Sequence, residues 1–290
     1  MSREKTHAVN STATKVGIVF IYVLLISVTL MTLYPLVYII LGSFKENREL
    51  LLGGLTLFPK KFITSNYTTA WNMGNFGRYT LNSVFLSVSV MVIVLFSSSM
   101  AGYCFARKDF FMKNFIYGVM IAFMFINVGS MGLRPLLDLA VKFHLNNSLL
   151  GVIFISAGGA QATNIFLVRG YMNSVPKELD EAARIDGCSF FQIYWKIILP
   201  VLKPVLATIA LLSFRSAWNE YILPLVFTMS NAKLRPLTVG VVSLRMAGDG
   251  AAAWNIMFAG SAISIIPIVV IYSLTSKHFM SGLTVGAVKG

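Results

Sequence analysis

Hydrophobic residues make up 56% of the 290-residue chain and charged residues only 12%, whereas soluble proteins carry about 25% charged residues. This composition excludes a soluble globular protein and indicates a polytopic membrane protein. The net charge of +13 would suggest nucleic-acid binding in a soluble chain, but membrane loops rich in Lys and Arg explain it more simply. We therefore expect membrane lipid around the chain and no nucleic acid as a partner.

Six apolar stretches are long enough to cross a bilayer, which takes about 20 residues. Polar residues 1–15 precede the first stretch, which is too long for a signal-peptide core. The predicted fold class is an all-α polytopic membrane protein with six transmembrane helices, so both ends should lie on the same side. The predicted spans are Val16–Phe44, Tyr79–Ala106, Asn114–Leu133, Phe143–Val168, Val205–Met229 and Gly250–Ser276.

Charge in the connecting segments favours a cytoplasmic N-terminus only weakly. In that orientation the inner segments hold thirteen Lys and Arg residues and the outer segments ten. The first outer loop, residues 45–78, contains Pro59, Asn66 and Trp71. We interpret this loop as a packed cap on the helix bundle rather than as a ligand contact.

The segment from Pro176 to Pro204 is the one long stretch that is both polar and patterned as a helix. Its first turns carry three acids, which the helix dipole favours, and Asp180 and Arg184 are spaced to pair along its surface. Gly187 is suited to end this helix. Ser189 and Gln192 then have capping-box spacing. The pattern predicts a short helix, a glycine break and a second short helix that ends near Leu199.

This spacing resembles the cytoplasmic coupling loop, or EAA loop, of binding-protein-dependent ABC importer permeases. The resemblance implies that the loop, residues 174–204, docks on an ATPase subunit and faces the cytoplasm. Small alanines would permit close approach, and acids would meet basic or backbone donors. Cys188 stands where the family more often has alanine. The residues that we expect to couple to the ATPase are Glu181, Ala182, Ala183, Asp186, Gly187, Leu199 and Pro200.

Two ionisable residues, Arg215 and Glu220, interrupt the fifth predicted span, where a charge is costly and usually faces protein or water. They are five residues apart and therefore point in different directions around a helix. Residues 218–221 resemble the W-N-[DE]-[FY] stretch of sugar-type permeases. Two interpretations remain open: contact with a sugar, or ties to a neighbouring helix or chain. The substrate-path candidates are Arg215, Trp218, Asn219, Glu220 and Tyr221.

Two further segments resemble the maltose-type carbohydrate permeases. In that subfamily the last outer loop reaches into the solute-binding protein, although here it could equally be a flexible turn. The C-terminal GLTVGAVKG resembles a tail that reaches between ATPase subunits in that subfamily. The resemblance implies a binding-protein contact at Gly248, Asp249 and Gly250, and an ATPase contact at Gly282, Leu283, Thr284, Gly286 and Lys289.

The resemblance covers essentially the whole chain and implies an ABC type I importer permease fold. We expect a cytoplasmic segment at 1–15, a permease domain at 16–281 and a tail at 282–290. The implied function is ATP-driven import of a carbohydrate, an oligosaccharide in the first place, with an acidic sugar left open. The implied partners are a second related permease, two ATPase subunits and an extracytoplasmic solute-binding protein. The implied location is the bacterial inner membrane, with both termini cytoplasmic.

The chain contains no G-x-x-x-x-G-K-[ST] phosphate loop, so ATP and Mg²⁺ should be bound by the partner ATPases. Its three histidines are scattered, and neither a metal site nor a catalytic constellation is expected. We therefore predict a transport subunit and not an enzyme. The alternatives are a secondary transporter that uses Arg215 and Glu220, for which the chain shows no internal repeat, and an intramembrane enzyme.

Overall fold

The computed structural model describes residues 12–54, 56–73, 75–126, 129–247 and 253–287. Side chains are described in these ranges except at residues 12–16, 129–130, 246–247, 271 and 274–287. The described part is helical and contains no strand. The predicted all-α class is therefore confirmed for these residues.

The first helix, α1 (Thr12–Gly42), stands at the edge of the bundle and packs on the last helix. The rings of Tyr38 and Phe258 meet edge to face there, with centroids 6.0 Å apart. Gly42 permits this approach, since a Cβ at that position would lie 2.7 Å from the Phe258 ring. Most other described side chains of α1 are apolar and exposed, as expected for a helix that faces lipid or a partner chain.

The first outer loop folds back on the bundle through α2 (Asn47–Leu52) and α3 (Ser65–Met73). The amide of Asn66 donates to the carbonyl oxygens of Ser43 at 2.8 Å and Lys45 at 2.9 Å. Its oxygen accepts from Asn255 at 2.9 Å, and so ties the loop to the last helix. These buried bonds confirm that the loop is a packed cap.

The centre of the molecule is α4 (Phe76–Arg107), whose most extensive packing is against three other helices. These are α7 (Leu149–Gly159), α8 (Gln161–Met172) and α12 (Lys203–Asn219). A main apolar core lies between them, and a second core lies near the start of α4. The structure thus confirms the predicted second span within three residues at its start and one at its end.

The predicted third span was wrong in extent. Helix α5 (Lys113–Phe125) ends eight residues before Leu133, and a 3₁₀ turn (Gly129–Gly132) leads into α6 (Leu133–Lys142). Glycine is a poor helix former, so the two glycines of that turn favour an early end to the helix. The fourth predicted span is also not one straight helix, because α7 and α8 meet at a bend of 45°.

The predicted fifth span is broken near its end. Helix α12 stops at Asn219, Glu220 is extended with ψ 129°, and α13 (Ile222–Phe227) follows. Pro224 explains the break, because its ring would clash with the carbonyl of residue 220 in a continuous helix. A short α14 (Leu237–Ser243) and a long α15 (Trp254–Ala287) complete the described chain.

Between α8 and α12 lie α9 (Glu178–Ile185), α10 (Phe190–Ile193), a π-helical turn (Tyr194–Ile198) and α11 (Leu199–Val201). The second loop helix therefore runs two residues beyond the predicted end at Leu199. Pro200 has no N–H to donate to the carbonyl of residue 196, and the π turn accommodates this loss by bonding Leu199 to Tyr194. The chain then turns by 78° into α12.

By length and composition, two of the described helices can each cross a membrane, and the number rises to four if each bent pair is one span. Helix α5 and Trp254–Val270 of α15 are shorter apolar segments. The count of six transmembrane helices therefore stays a prediction.

Candidate functional site

Helix α9 ends as its glycine predicts. Gly187 has φ +81°, a left-handed conformation that costs glycine little. The N–H of Cys188 donates to the carbonyl of Ala183 at 2.9 Å, and this bond closes the helix end in the manner of a Schellman motif. The predicted capping box is also confirmed, since Ser189 and Gln192 exchange hydrogen bonds of 2.8 and 3.3 Å.

Helix α9 turns one face toward the bundle and leaves the other exposed. Ala183, one of the residues expected to couple to the ATPase, is buried on the bundle side at 4% exposure, whereas Leu179 and Ala182 are exposed. Together with Ile185, which is 87% exposed, they form a row of apolar side chains at three-residue spacing. We call Leu179, Ala182 and Ile185 the exposed ridge. Glu181, Asp186 and Gly187 are exposed beside it.

Asp180 is only 2% exposed and pairs with α4, not with Arg184. Its Oδ2 accepts from Arg107 Nε at 2.9 Å, and its Oδ1 accepts from the Tyr103 hydroxyl at 2.6 Å. The predicted pairing of Asp180 with Arg184 was therefore wrong. The competing partners, Tyr103 and Arg107, are more than 70 residues away in sequence, so a local spacing argument could not find them.

The second half of the loop also packs on the C-terminal end of α4. The Phe190 ring stacks on Tyr103 with centroids 4.7 Å apart, and the Tyr194 hydroxyl bonds Ser99 at 2.7 Å. Beyond the end of α4, Lys113 donates to the exposed Asp109, and this hydrogen bond and the lysine charge lower the pKa of that carboxyl. Residues 174–204, which we call the coupling segment, are therefore attached to α4 at several points.

The structure also contains a cavity of about 740 Å³ between α4, α6, α7 and α12. Most of its wall is apolar, and a few polar groups lie on α7 and α12. A mainly apolar wall with few convergent polar groups is typical of small-molecule sites. Among the lining residues are Val90, Leu139, Phe143, Phe154, Ser156, Gly159, Ser213, Ser216, Ala217 and Glu220.

The substrate-path candidates fall on three faces of α12, as about 100° per residue requires. Glu220 lies on the face that lines the cavity. Trp218 is buried on a second face, where its ring is stacked on Phe214 with centroids 5.6 Å apart. Arg215 and Asn219 are exposed on the third face. The predicted angular separation of Arg215 and Glu220 is confirmed, but the five candidates do not form one site.

Trp218 is not available to stack on a bound ring in this conformation, because it packs inside the second core. Tyr221 is partly buried at the break between α12 and α13 and does not line the cavity. Glu220 accepts from the N–H of Leu223 at 3.3 Å, so its carboxylate also caps the start of α13. A cavity role and a structural role therefore coexist in this residue.

Sequence reasoning missed two serines of the cavity wall. The hydroxyls of Ser156 and Ser213 are buried and have no hydrogen-bond partner in the described part of the chain, and Ser213 is only 4% exposed. Buried hydroxyls normally have partners, so unpaired ones in residues that line a cavity point to a ligand that completes their hydrogen bonds. The signal was present in the sequence, since Ser213 precedes Glu220 by seven residues and shares its helix face.

Several predicted contacts cannot be placed. Gly248, Asp249, Gly250 and Lys289 lie outside the described residues. The backbone of residues 282–287 continues helix α15, and this segment includes Gly282, Leu283, Thr284 and Gly286. Leu199 and Pro200 belong to α11, at the bend into α12. Within the described residues, no group of three His, Cys, Asp or Glu side chains is arranged to hold a metal ion.

Comparison with known families decides the identity of the chain. Residues 93–283 match the family described as the binding-protein-dependent transport system inner membrane component. The chain belongs to this family. It is 34% identical to the arabinooligosaccharides transport system permease protein AraQ of Halalkalibacterium halodurans, over 99% of this chain and all of that one. It is 35% identical to AraQ of Bacillus subtilis, over 90% and 92% of the two chains.

A solved structure has the same fold. The permease superposes with a TM-score of 0.81 and 25% identity on a chain of a bacterial ABC transporter involved in the import of the acidic polysaccharide alginate, over 93% of this chain and 98% of that one. The protein is thus a permease subunit of an ABC importer with the type I fold, a membrane transport component that works with other ABC subunits. ATP hydrolysis belongs to a separate subunit, so the prediction that this permease is not an enzyme is confirmed.

Proposed function

We propose that this permease imports a neutral oligosaccharide through the cavity beside α12. The observation that carries the proposal is the pair of unpartnered hydroxyls on Ser156 and Ser213 in the cavity wall. Sugar hydroxyls can both donate to and accept from such groups, and the apolar wall can cover the ring faces. Relatives of the chain support the same cargo class, since they include permeases for arabinooligosaccharides and for melibiose, raffinose and stachyose.

The charge around the cavity favours a neutral cargo over an acidic one. Glu220 contributes a carboxylate to the wall, whereas Arg215 lies on another face of α12. An anionic sugar beside a carboxylate in a partly desolvated cavity would be disfavoured by like-charge repulsion. The ABC transporter involved in alginate import has the same fold as this permease. Because of the carboxylate in the cavity wall, we propose that this permease does not share its acidic cargo.

The proposal includes the partners that drive transport. A second related permease, two ATPase subunits that bind ATP and Mg²⁺, and a solute-binding protein would complete the importer. The exposed ridge of α9 would enter the ATPase groove, with Glu181 and Asp186 at its border. Since α9 must then face the cytoplasm, both termini would be cytoplasmic and the α15 end at residues 282–287 would lie on the ATPase side. Family membership removes the alternative of a transporter that works without an ATPase.

Removal of the Ser213 hydroxyl tests the cavity. In proteoliposomes that hold the complete importer and its solute-binding protein, uptake of arabinotriose or maltotriose should fall roughly 2- to 10-fold in Ser213→Ala, the equivalent of one lost hydrogen bond. Ser98→Ala is the matched control, because its hydroxyl is equally buried and unpartnered but does not line the cavity. ATPase activity is measured in the same vesicles.

Two results would contradict the proposal in different ways. Equal uptake by Ser213→Ala and Ser98→Ala, with normal stimulation of the ATPase, would remove the cavity from the cargo path. Stimulation by trigalacturonate, with none by either neutral trisaccharide, would overturn the neutral cargo class.

A further inference from the structure

The C-terminal end of α4 holds both halves of the coupling segment. We propose that Tyr103, Arg107 and Asp180 form a joint that transmits movement of α9 to α4, and that they act as positioning residues for transport. We call these three residues the α4 joint. This inference rests on the proposed docking of α9 on the ATPase.

The bonds of the joint restrict α9 in more than one direction. Asp180 uses both carboxylate oxygens, one toward Tyr103 and one toward Arg107. The Nη2 atom of Arg107 also donates to the carbonyl of Val175 at 2.6 Å, just before α9 begins. Helix α9 therefore cannot slide or rotate on α4 without breaking charge-assisted hydrogen bonds between buried groups.

Burial makes these bonds costly to break. The side chains of Arg107 and Asp180 are 5% and 3% exposed, so water cannot replace either partner cheaply. The salt bridge between Asp109 and Lys113 is nearby, but its carboxylate is 99% exposed. Exposed pairs of this kind contribute little to stability, and this one joins two residues outside the loop, so among these two salt bridges only the buried pair fixes α9 to α4.

The second half of the loop is attached to the same end of α4. Phe190 stacks on the Tyr103 ring, and Tyr194 bonds Ser99 one turn further along. The Phe190 ring and the Asp180 carboxylate therefore both contact Tyr103, although Asp180 precedes the glycine break at Gly187 and Phe190 follows it. A push on α9 would reach α4 and α10 together rather than bend the loop at Gly187.

Helix α4 connects this joint to the cavity. Val90, in the cavity wall, lies 17 residues before Arg107, or about 25 Å along an α-helix. Between them, Gly102 brings α4 so close to α8 that a Cβ would lie 2.5 Å from the side chain of Val168. A closely packed interior has low compressibility and transmits strain. Movement at the joint would therefore change the position of the cavity wall.

The test compares uptake with ATP hydrolysis in the same proteoliposomes, which hold the complete importer with its ATPase and solute-binding protein. Radiolabelled maltotriose and arabinotriose are the probes. In Asp180→Asn and Arg107→Gln, uptake per ATP hydrolysed should fall about fivefold or more, as expected when two distant sites lose their coupling. Arg107→Lys keeps the charge and should recover part of the ratio. Asp109→Asn is the control and should keep the wild-type ratio.

A purely stabilising role would give a different result. Wild-type uptake per ATP in Asp180→Asn and Arg107→Gln, even with a lower melting temperature, would overturn the joint. If those variants do not assemble, Tyr103→Phe decides, since it removes one hydroxyl and keeps the ring stack. A wild-type ratio of uptake to ATP hydrolysis in Tyr103→Phe would overturn the proposed role of the α4 joint, and a reduced ratio would support it. Unchanged ATPase binding in Ile185→Ser would instead overturn the docking of α9.

Discussion

At the scale of single residues, glycine marks the closest contacts between helices. Small residues let helix backbones approach in a membrane protein, where packing replaces much of the hydrophobic driving force. Gly102 on α4 faces Val168 on α8, and a Cβ there would lie 2.5 Å from Val168 Cγ1 and 3.3 Å from the backbone N of Arg169. The second distance involves backbone, so a side-chain rotation alone cannot relieve the contact.

We expect Gly102→Ala to destabilise the permease by about 1–3 kcal/mol, the usual cost of overpacking a core. The melting temperature of the purified importer would report the loss. Gly118→Ala on α5 is the control, since a Cβ there meets no atom within 4 Å. Equal melting temperatures for the two variants would mean that α4 and α8 can separate without cost.

At the scale of elements, α9 is a short helix with most of its surface exposed. Eight residues are too few for an isolated helix to be stable in water, so its packing on the end of α4 must hold it in place. Its outer surface nevertheless carries apolar side chains, among them Ile185, which is 87% exposed. An apolar row on an otherwise charged helix is typical of a helix that docks in a groove.

Ile185→Ser should therefore leave the permease folded and weaken its hold on the ATPase. About 1.5–3 kcal/mol is gained when an isoleucine side chain is fully buried, so ATPase affinity should fall roughly 10- to 100-fold. Titration of the ATPase against the purified permease pair measures this affinity. Ile185→Met keeps the apolar volume and should bind nearly as well as wild type, and a similar loss in both variants would count against docking by the ridge.

At the scale of the whole molecule, orientation in the membrane follows from the side on which α9 lies. Charge in the loops decides this weakly, with thirteen basic residues against ten. Cys188, directly after the glycine break, is partly exposed and belongs to the coupling segment. Lys61 is exposed in the first outer loop. The two positions should lie on opposite sides of the membrane.

In a Cys104→Ser background, a membrane-impermeant maleimide should label Cys188 only in inside-out vesicles. Added to right-side-out cells, the reagent should label a Cys188→Ala, Lys61→Cys variant in the same background. Labelling of Cys188 from outside would reverse the orientation and contradict a cytoplasmic coupling loop, whereas labelling from neither side would show that a bound subunit covers it. If Cys188 becomes labelled once the ATPase has been removed, the bound ATPase was the subunit that covered it.

The sequence by itself determined the membrane class, the extent of the second span and the local structure of the coupling segment. Apolar length predicts spans because bilayer thickness is constant, and the glycine stop and capping box depend on neighbours within a few residues. For the same reason Gly187 and Ser189 behave as predicted. The end of α12 at Asn219 was harder to predict from the sequence, because the proline that breaks the helix, Pro224, acts on the backbone carbonyl four residues before it.

Only the tertiary structure decided which side chains meet. Asp180 had a partner available at Arg184, yet burial on α4 gives it Arg107 and Tyr103, since a buried carboxylate needs several donors at once. The same holds for the cavity. Glu220 and Ser213 share a wall with α6 and α7 residues, while Arg215 and Trp218 turn away. Sequence spacing predicts only that two side chains point in different directions from a helix. Which of those directions meets a neighbouring helix or a cavity is decided by long-range packing.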